Sequence, residues 1–263
     1  MSSTLYIADA LVTMNGDNEV MRDSALLVER NVIADIGPCD LLKARNRQAE
    51  VVHLENCLLM PGLINSHCHS GLLRGTAEGL PVWDWLQRYI DPMHRVLLPE
   101  EAALASRLCY AEALLSGTTT IVDMWRYMDG SAFAAKELGI RAMLVPYVAE
   151  HSDHDYFETL DTNEKLINDW QGEAGGRIKV WVGLEHLFYA EPRALKRIKE
   201  LCLHYKVGFH THSNESRFDV EKTIERYSAR PVEVLEQIGL LDIPGTLLAH
   251  CVWLNDHEIE ILK

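Results

Sequence analysis

The chain is 263 residues long, enough for one α/β barrel or for two smaller domains, and its 48% hydrophobic and 24% charged residues are those of an ordinary globular protein. A formal net charge of -14 excludes the basic stripe on which nucleic-acid binding rests. No stretch approaches the roughly 18 apolar residues of a membrane span.

Met1 to Thr4 show no basic segment leading into an apolar one, so no secretory signal is expected. The six cysteines, at 39, 57, 68, 109, 202 and 251, are scattered and form no Cys-x-x-Cys. That usage fits reduced thiols and a cytoplasmic location. Residues 1–58 read as short strands closed by turn signals at Asn15-Gly16, Arg30-Asn31 and Gly37-Pro38. They are expected to be the strands of a small β-sandwich domain.

From residue 59 the pattern changes to strands alternating with helices. Strands are predicted at 58–66, 118–124, 140–148, 178–187, 207–212 and 246–254. Helices are predicted at 99–116, 131–138, 164–170, 192–204 and 231–238. Such alternation implies parallel βα units, and six in succession point to an α/β fold, a (β/α)8 barrel of the TIM type. A last helix opens at Asn255, with Glu258 completing a capping box, and the sequence ends at Lys263, two strands short of closure. The region 59–263 is therefore expected to be a barrel truncated at its C-terminal end, a piece of a longer protein.

The chemistry gathers at predicted strand ends. His67-Cys68-His69 closes the first barrel strand, and residues two apart on a strand share a face, so both imidazoles project together while Cys68 turns away. Two imidazoles so placed are half of a zinc or iron site. A second pair, His210-Thr211-His212, closes another strand, Glu215 follows three residues later, and His250 ends a third. Barrel enzymes build their sites at these strand ends. Trp83, Trp85, Tyr89 and Met93 fall where a short helix would cover the barrel mouth and hold an aromatic ring, with His94 and Trp125 as further pocket candidates.

Five stretches carry a family resemblance: 60–69 (Met-Pro-Gly-Leu-Ile-Asn-Ser-His-Cys-His), 73–78 (Leu-Arg-Gly-Thr-Ala-Glu), 116–120 (Ser-Gly-Thr-Thr-Thr), 208–215 (Gly-Phe-His-Thr-His-Ser-Asn-Glu) and 249–254 (Ala-His-Cys-Val-Trp-Leu). With them the chain resembles the amidohydrolase superfamily, in its branch of aminohydrolases and chlorohydrolases that includes adenosine-type and S-adenosylhomocysteine deaminases and triazine hydrolases. The resemblance implies that His67, His69 and His212 bind one divalent metal ion, with zinc expected and iron the alternative. It makes Glu215 the acid/base, gives His250 a contact with the attacking water or the substrate, and makes His186 a substrate contact. Trp85 and His94 complete the expected substrate pocket. Lys179 lies at the start of its strand, so no lysine is placed to bridge a second metal.

The implied activity is hydrolysis of carbon–nitrogen bonds other than peptide bonds: deamination of a purine-, pyrimidine- or triazine-like ring through metal-bound hydroxide. The alternatives are expulsion of chloride or an alkylamine from a triazine, or a truncated, non-catalytic chain with a structural or interaction role. The expected partner is a small heterocyclic molecule, with neither nucleic acid nor membrane, and a homo-oligomer is allowed. The family's last metal ligand, an aspartate, has no counterpart before Lys263. Where adenosine-type members carry a glutamate and two arginines, this chain has His94, Pro146 and a residue near Leu160, which ranks S-adenosylhomocysteine low among substrates. His210 is expected behind the metal ligands rather than among them.

Overall fold

The computed structural model describes residues 3–71, 79–151 and 157–263, so the 73–78 motif lies outside the described residues. The chain divides into two compact units, Met1–Gly62 and Leu63–Lys263.

In the first unit, β1 (Ser3–Val12), β2 (Val20–Met21), β3 (Ser24–Glu29), β4 (Val32–Pro38) and β5 (Glu50–Leu59) belong to a single sheet. β1 pairs antiparallel with β3 and parallel with β5. Leu5, Ala25 and Leu27 bury their side chains against Leu42 of a short helix, Cys39–Arg45, that strand patterning did not predict. The helix begins directly after Pro38, whose ring fixes φ near the helical value.

The second unit is built on parallel strands: β6 (Leu63–Cys68), β7 (Thr118–Trp125), β8 (Arg141–Pro146), β9 (Ile178–Val180), β10 (Val182–His186), β11 (Phe209–Ser213) and β12 (Leu247–His250). They form two sheets, β6-β7-β8-β9 and β10-β11-β12, which follow one another as an incomplete barrel. The strand predicted at 178–187 is interrupted at Trp181, whose N–H donates to Leu144 O (3.0 Å), so β9 and β10 together fill one barrel position. The strand predicted at 58–66 is likewise divided. Met60-Pro61-Gly62 separates β5 from β6, as Pro61 offers no N–H to a ladder.

Parallel strands covered by helices are apolar on both faces. Accordingly Ile121, Leu144, Ile178, Val180, Val182, Leu184 and Phe209 are fully buried, each contributing about 1.5–3 kcal/mol. The flanking helices include Pro99–Leu115, Met128–Leu138, Leu160–Trp170, Pro192–Tyr205 and Pro231–Ile238. Pro192–Tyr205 shows why they form: Ala194, Leu195, Ile198, Leu201 and Cys202 make one buried stripe at helical spacing. At Gly183 a Cβ would lie 2.0 Å from Pro146 O, so β10 can approach β8 only with glycine there. Among the described residues no helix is long and apolar enough to cross a membrane.

Candidate metal centre

β6 and β11 deliver the histidines. A ring nitrogen from each of His67, His69 and His212 lies within 4.8 Å of the others. Main-chain carbonyls set two of the three rings. His69 Nδ1–H donates to Met124 O (2.6 Å), and His212 Nδ1–H donates to Glu185 O (2.8 Å). The proton on Nδ1 leaves a lone pair on each Nε2. Burial holds both rings neutral, with pKa values below the ordinary range.

The two Nε2 atoms nevertheless face each other at 3.3 Å. Two acceptors at that separation repel, and a cation between them removes the conflict. His67 Nε2 is buried without a hydrogen-bond partner. Burial first, then the neighbouring rings of His69, His210 and His250, pushes the His67 pKa down to about 2. Three neutral imidazoles whose lone pairs lack protons form a donor set suited to a divalent metal ion.

Glu215 follows β11 by two residues and sits between two imidazoles. Its Oε2 is 3.3 Å from His186 Nε2, and its Oε1 is 3.5 Å from His250 Nε2. On its other side His186 Nδ1 donates to Glu185 Oε2 (2.6 Å), while Tyr147 OH donates to Glu185 Oε1 (3.0 Å). Burial pulls the His186 pKa down, but the carboxylates flanking the ring more than offset this and push it up to about 10. His186 is therefore an imidazolium near neutral pH. Burial raises the Glu215 pKa; the hydrogen bond and charge of His186, helped by His250 and His69, outweigh it and hold the carboxyl below its ordinary value.

His250 ends β12 with its ring stacked 5.2 Å from His212. Its backbone and that of Cys251 are left-handed, φ 75° and 52°, a conformation that costs non-glycine residues of order 1–3 kcal/mol. Two bonds to the preceding strand end hold it, Cys251 N–H to Ser213 O and Val252 N–H to Asn214 O, both 2.9 Å.

A cavity of about 200 Å³ opens over His67, His69, His212, Glu215 and His250, with Val82, Trp85, Leu86, Ile90, Trp125 and Tyr147 as its apolar wall, while His186, expected to contact substrate, does not line it and lies behind Glu215. The helical turns that supply the first four of these wall residues, Val82–Trp85 and Leu86–Ile90, widen to π-helical geometry in the second. Trp85 lines the cavity. Trp83 instead donates from Nε1 to Ser216 Oγ (2.7 Å) and packs on Phe218. His94, expected to contact substrate, does not line it. Its ring is buried behind the wall, stacked on Tyr147 at 5.3 Å and 4.8 Å from Trp125. Cys68 turns its Sγ to Asp123 Oδ1 (3.6 Å) rather than to the histidines.

Sequence reasoning missed several supporting residues. Asp123 is fully buried on β7 and accepts from Ser70 N–H (2.9 Å), Ser70 Oγ (2.6 Å) and Tyr110 OH (2.5 Å), which anchors the turn beyond His69. A carboxylate inside the apolar run 121–125 was the available signal. Glu185 and Tyr147 carried no local mark. A wider depression of about 670 Å³ in the first unit exposes Asp9, Asp23, Asp40 and Glu55, but among the described residues it holds no cluster at metal-binding distance.

The model of the amidohydrolase family matches residues 58–263. The 5-methylthioadenosine/S-adenosylhomocysteine deaminase of Thermoanaerobacter pseudethanolicus is 36% identical over 257 residues, covering 97% of this chain and 59% of that protein. An adenosine deaminase structure from Xanthomonas campestris with bound zinc matches with a TM-score of 0.84 at 24% identity, over 99% of this chain and 60% of that one. An atrazine chlorohydrolase structure from Arthrobacter aurescens complexed with zinc matches with a TM-score of 0.86 at 23% identity, over 98% of this chain and 63% of that one. At those identities the two structures bear on fold alone. The chain spans about three fifths of the length of the curated relatives it matches.

Proposed function

The chain belongs to the amidohydrolase family, and from that premise we propose that it carries the hydrolytic centre of a deaminase acting on an adenine-type nucleoside. The observation that carries the reading is the set of proton-free imidazole nitrogens of His67, His69 and His212 beside an ionised Glu215. These three histidines would hold zinc, which suits imidazole donors. Iron is the alternative, since imidazole serves it as well. An ion of this kind supplies Lewis acidity, which makes water a usable nucleophile near neutral pH.

The chain's own residues do the rest. Glu215 starts ionised, takes a proton from the attacking water as the carbon–oxygen bond forms, and passes it to the ring nitrogen. Glu215 then takes the remaining proton of the added hydroxyl and gives it to the amino group, so that the carbon–oxygen double bond forms as the carbon–nitrogen bond breaks and ammonia leaves. His186 holds the carboxylate from one side as a cation, with Glu185 balancing its charge. His250 faces the other carboxylate oxygen, where it orients the reacting water. Trp85, Trp125 and Tyr147 give a planar heterocycle an apolar slot.

The name of the Thermoanaerobacter relative favours an adenine nucleoside. Displacement of chloride from a triazine has only a likeness of fold behind it. Among the described residues the cysteines form no disulfide. Zinc content after exhaustive dialysis, together with ammonia and chloride release from adenine nucleosides, guanine, pyrimidines and chlorotriazines, tests the proposal. One zinc per chain with ammonia from an adenine nucleoside is the expected result. Chloride release alone would transfer the chain to the other branch, and failure to retain zinc would leave the inert reading.

A further inference from the structure

His210 takes no part in the chemistry above. It lies on β11 two residues before His212, is fully buried, and does not line the cavity. It sits opposite Leu247 in the pairing of β11 with β12, and its Nδ1–H donates to Leu247 O at 2.8 Å. A carbonyl only accepts, so the proton is on Nδ1 and the Nε2 of the neutral ring is an acceptor. That Nε2 lies 3.0 Å from His67 Nδ1. His67 must therefore donate from Nδ1, and its remaining lone pair falls on Nε2, the buried atom without a partner.

His69 and His212 each reach a main-chain carbonyl directly. His67 reaches one through a second imidazole. We propose that His210 is a positioning residue for the cation site, transmitting the polarity of the Leu247 carbonyl to His67 and so fixing the tautomer that presents His67 Nε2 as a ligand. This rests on the reading of His67 as a ligand. Partners behind the ligands commonly change metal affinity 10–100-fold when they are removed.

Two substitutions separate this role from packing. His210→Phe keeps a planar ring but removes the acceptor. His210→Gln restores an acceptor for His67 and a donor for Leu247 O. Zinc affinity, read by competition with a chelating dye, is expected to fall about 10–100-fold in His210→Phe and to recover largely in His210→Gln. Melting of the metal-free proteins establishes that each variant is folded. A folded His210→Phe with unchanged zinc affinity, or a folded His210→Gln as weak as it, overturns the proposal.

Long-range ¹H–¹⁵N correlation spectra of the unmodified, metal-free chain need no variant. They are expected to show both His67 and His210 protonated at Nδ1, and an Nε2–H tautomer at His67 refutes the relay. If the unmodified chain binds no zinc, the ligand reading has failed, while the spectra still decide the tautomer.

Discussion

Glu215 acts through its position between two rings, and replacing it by glutamine tests that directly. An amide keeps the shape and the contacts to His186 and His250 but cannot shuttle a proton. Glu215→Gln is expected to retain zinc while losing turnover by about 10²–10⁴-fold, the usual worth of a positioned acid/base. Normal turnover in a zinc-loaded variant would remove Glu215 from that role. The residues around it were legible to different degrees. His67, His69 and His212 stand out because strand parity is a local property, readable from two neighbours. Glu185 and Tyr147 are 38 positions apart and meet only after β8 and β10 come together. Trp85 and Trp83 looked equivalent in sequence, yet one lines the cavity and the other anchors Ser216. His94 was expected in the pocket and lies behind its aromatic wall, because an imidazole near a predicted mouth gives no hint of which side of that wall it occupies.

At the scale of elements, the boundaries marked by local chemistry were the ones read correctly. Helices start at Pro99, Pro192 and Pro231, where proline is pre-shaped for the first turn. The helix Arg217–Tyr227 was overlooked, since charged residues dominate it and its buried positions are only Asp219, Val220 and Thr223. Its start signal was present in Ser216 and Asp219, which form a capping box.

The capping box predicted at Asn255 and Glu258 is real, and it does more than begin the helix Asp256–Leu262. Glu258 is fully buried and accepts from Arg230 Nε (2.8 Å), Asn214 Nδ2 (3.0 Å) and Val232 N–H (3.2 Å), tying three segments behind the turn that carries His250. Glu258→Ala would strand an arginine and an amide, and is expected to cost about 3–5 kcal/mol in urea unfolding. A loss below about 1 kcal/mol, the level of an exposed pair, would show that the carboxylate is dispensable.

For the whole molecule, the buried imidazoles set the response to pH. The pKa values of His67, His94 and His210 are lowered to about 2, 3 and 4 from the ordinary 6.5, with burial the main cause. Below pH 6.5 the unfolded chain takes up protons that the native state refuses, so stability falls as the solution is acidified. His186 works in the opposite sense. Its pKa is raised to about 10, so its stabilisation is complete below pH 6.5 and is lost as the pH rises through 10. The melting temperature of the chelator-treated chain is expected to peak near pH 6.5 and drop on both sides. A flat profile between pH 7 and 5 would show that these rings are not held neutral.

The interruption at Trp181 divides the hydrogen-bonded ladder of the barrel unit into two. His69 stands at the end of one sheet and His212 in the other, 143 positions apart along the chain. A cation gripped by both would join the ends of strands from the two sheets and close a very long loop. Its binding energy then counts toward folding as well as toward chemistry.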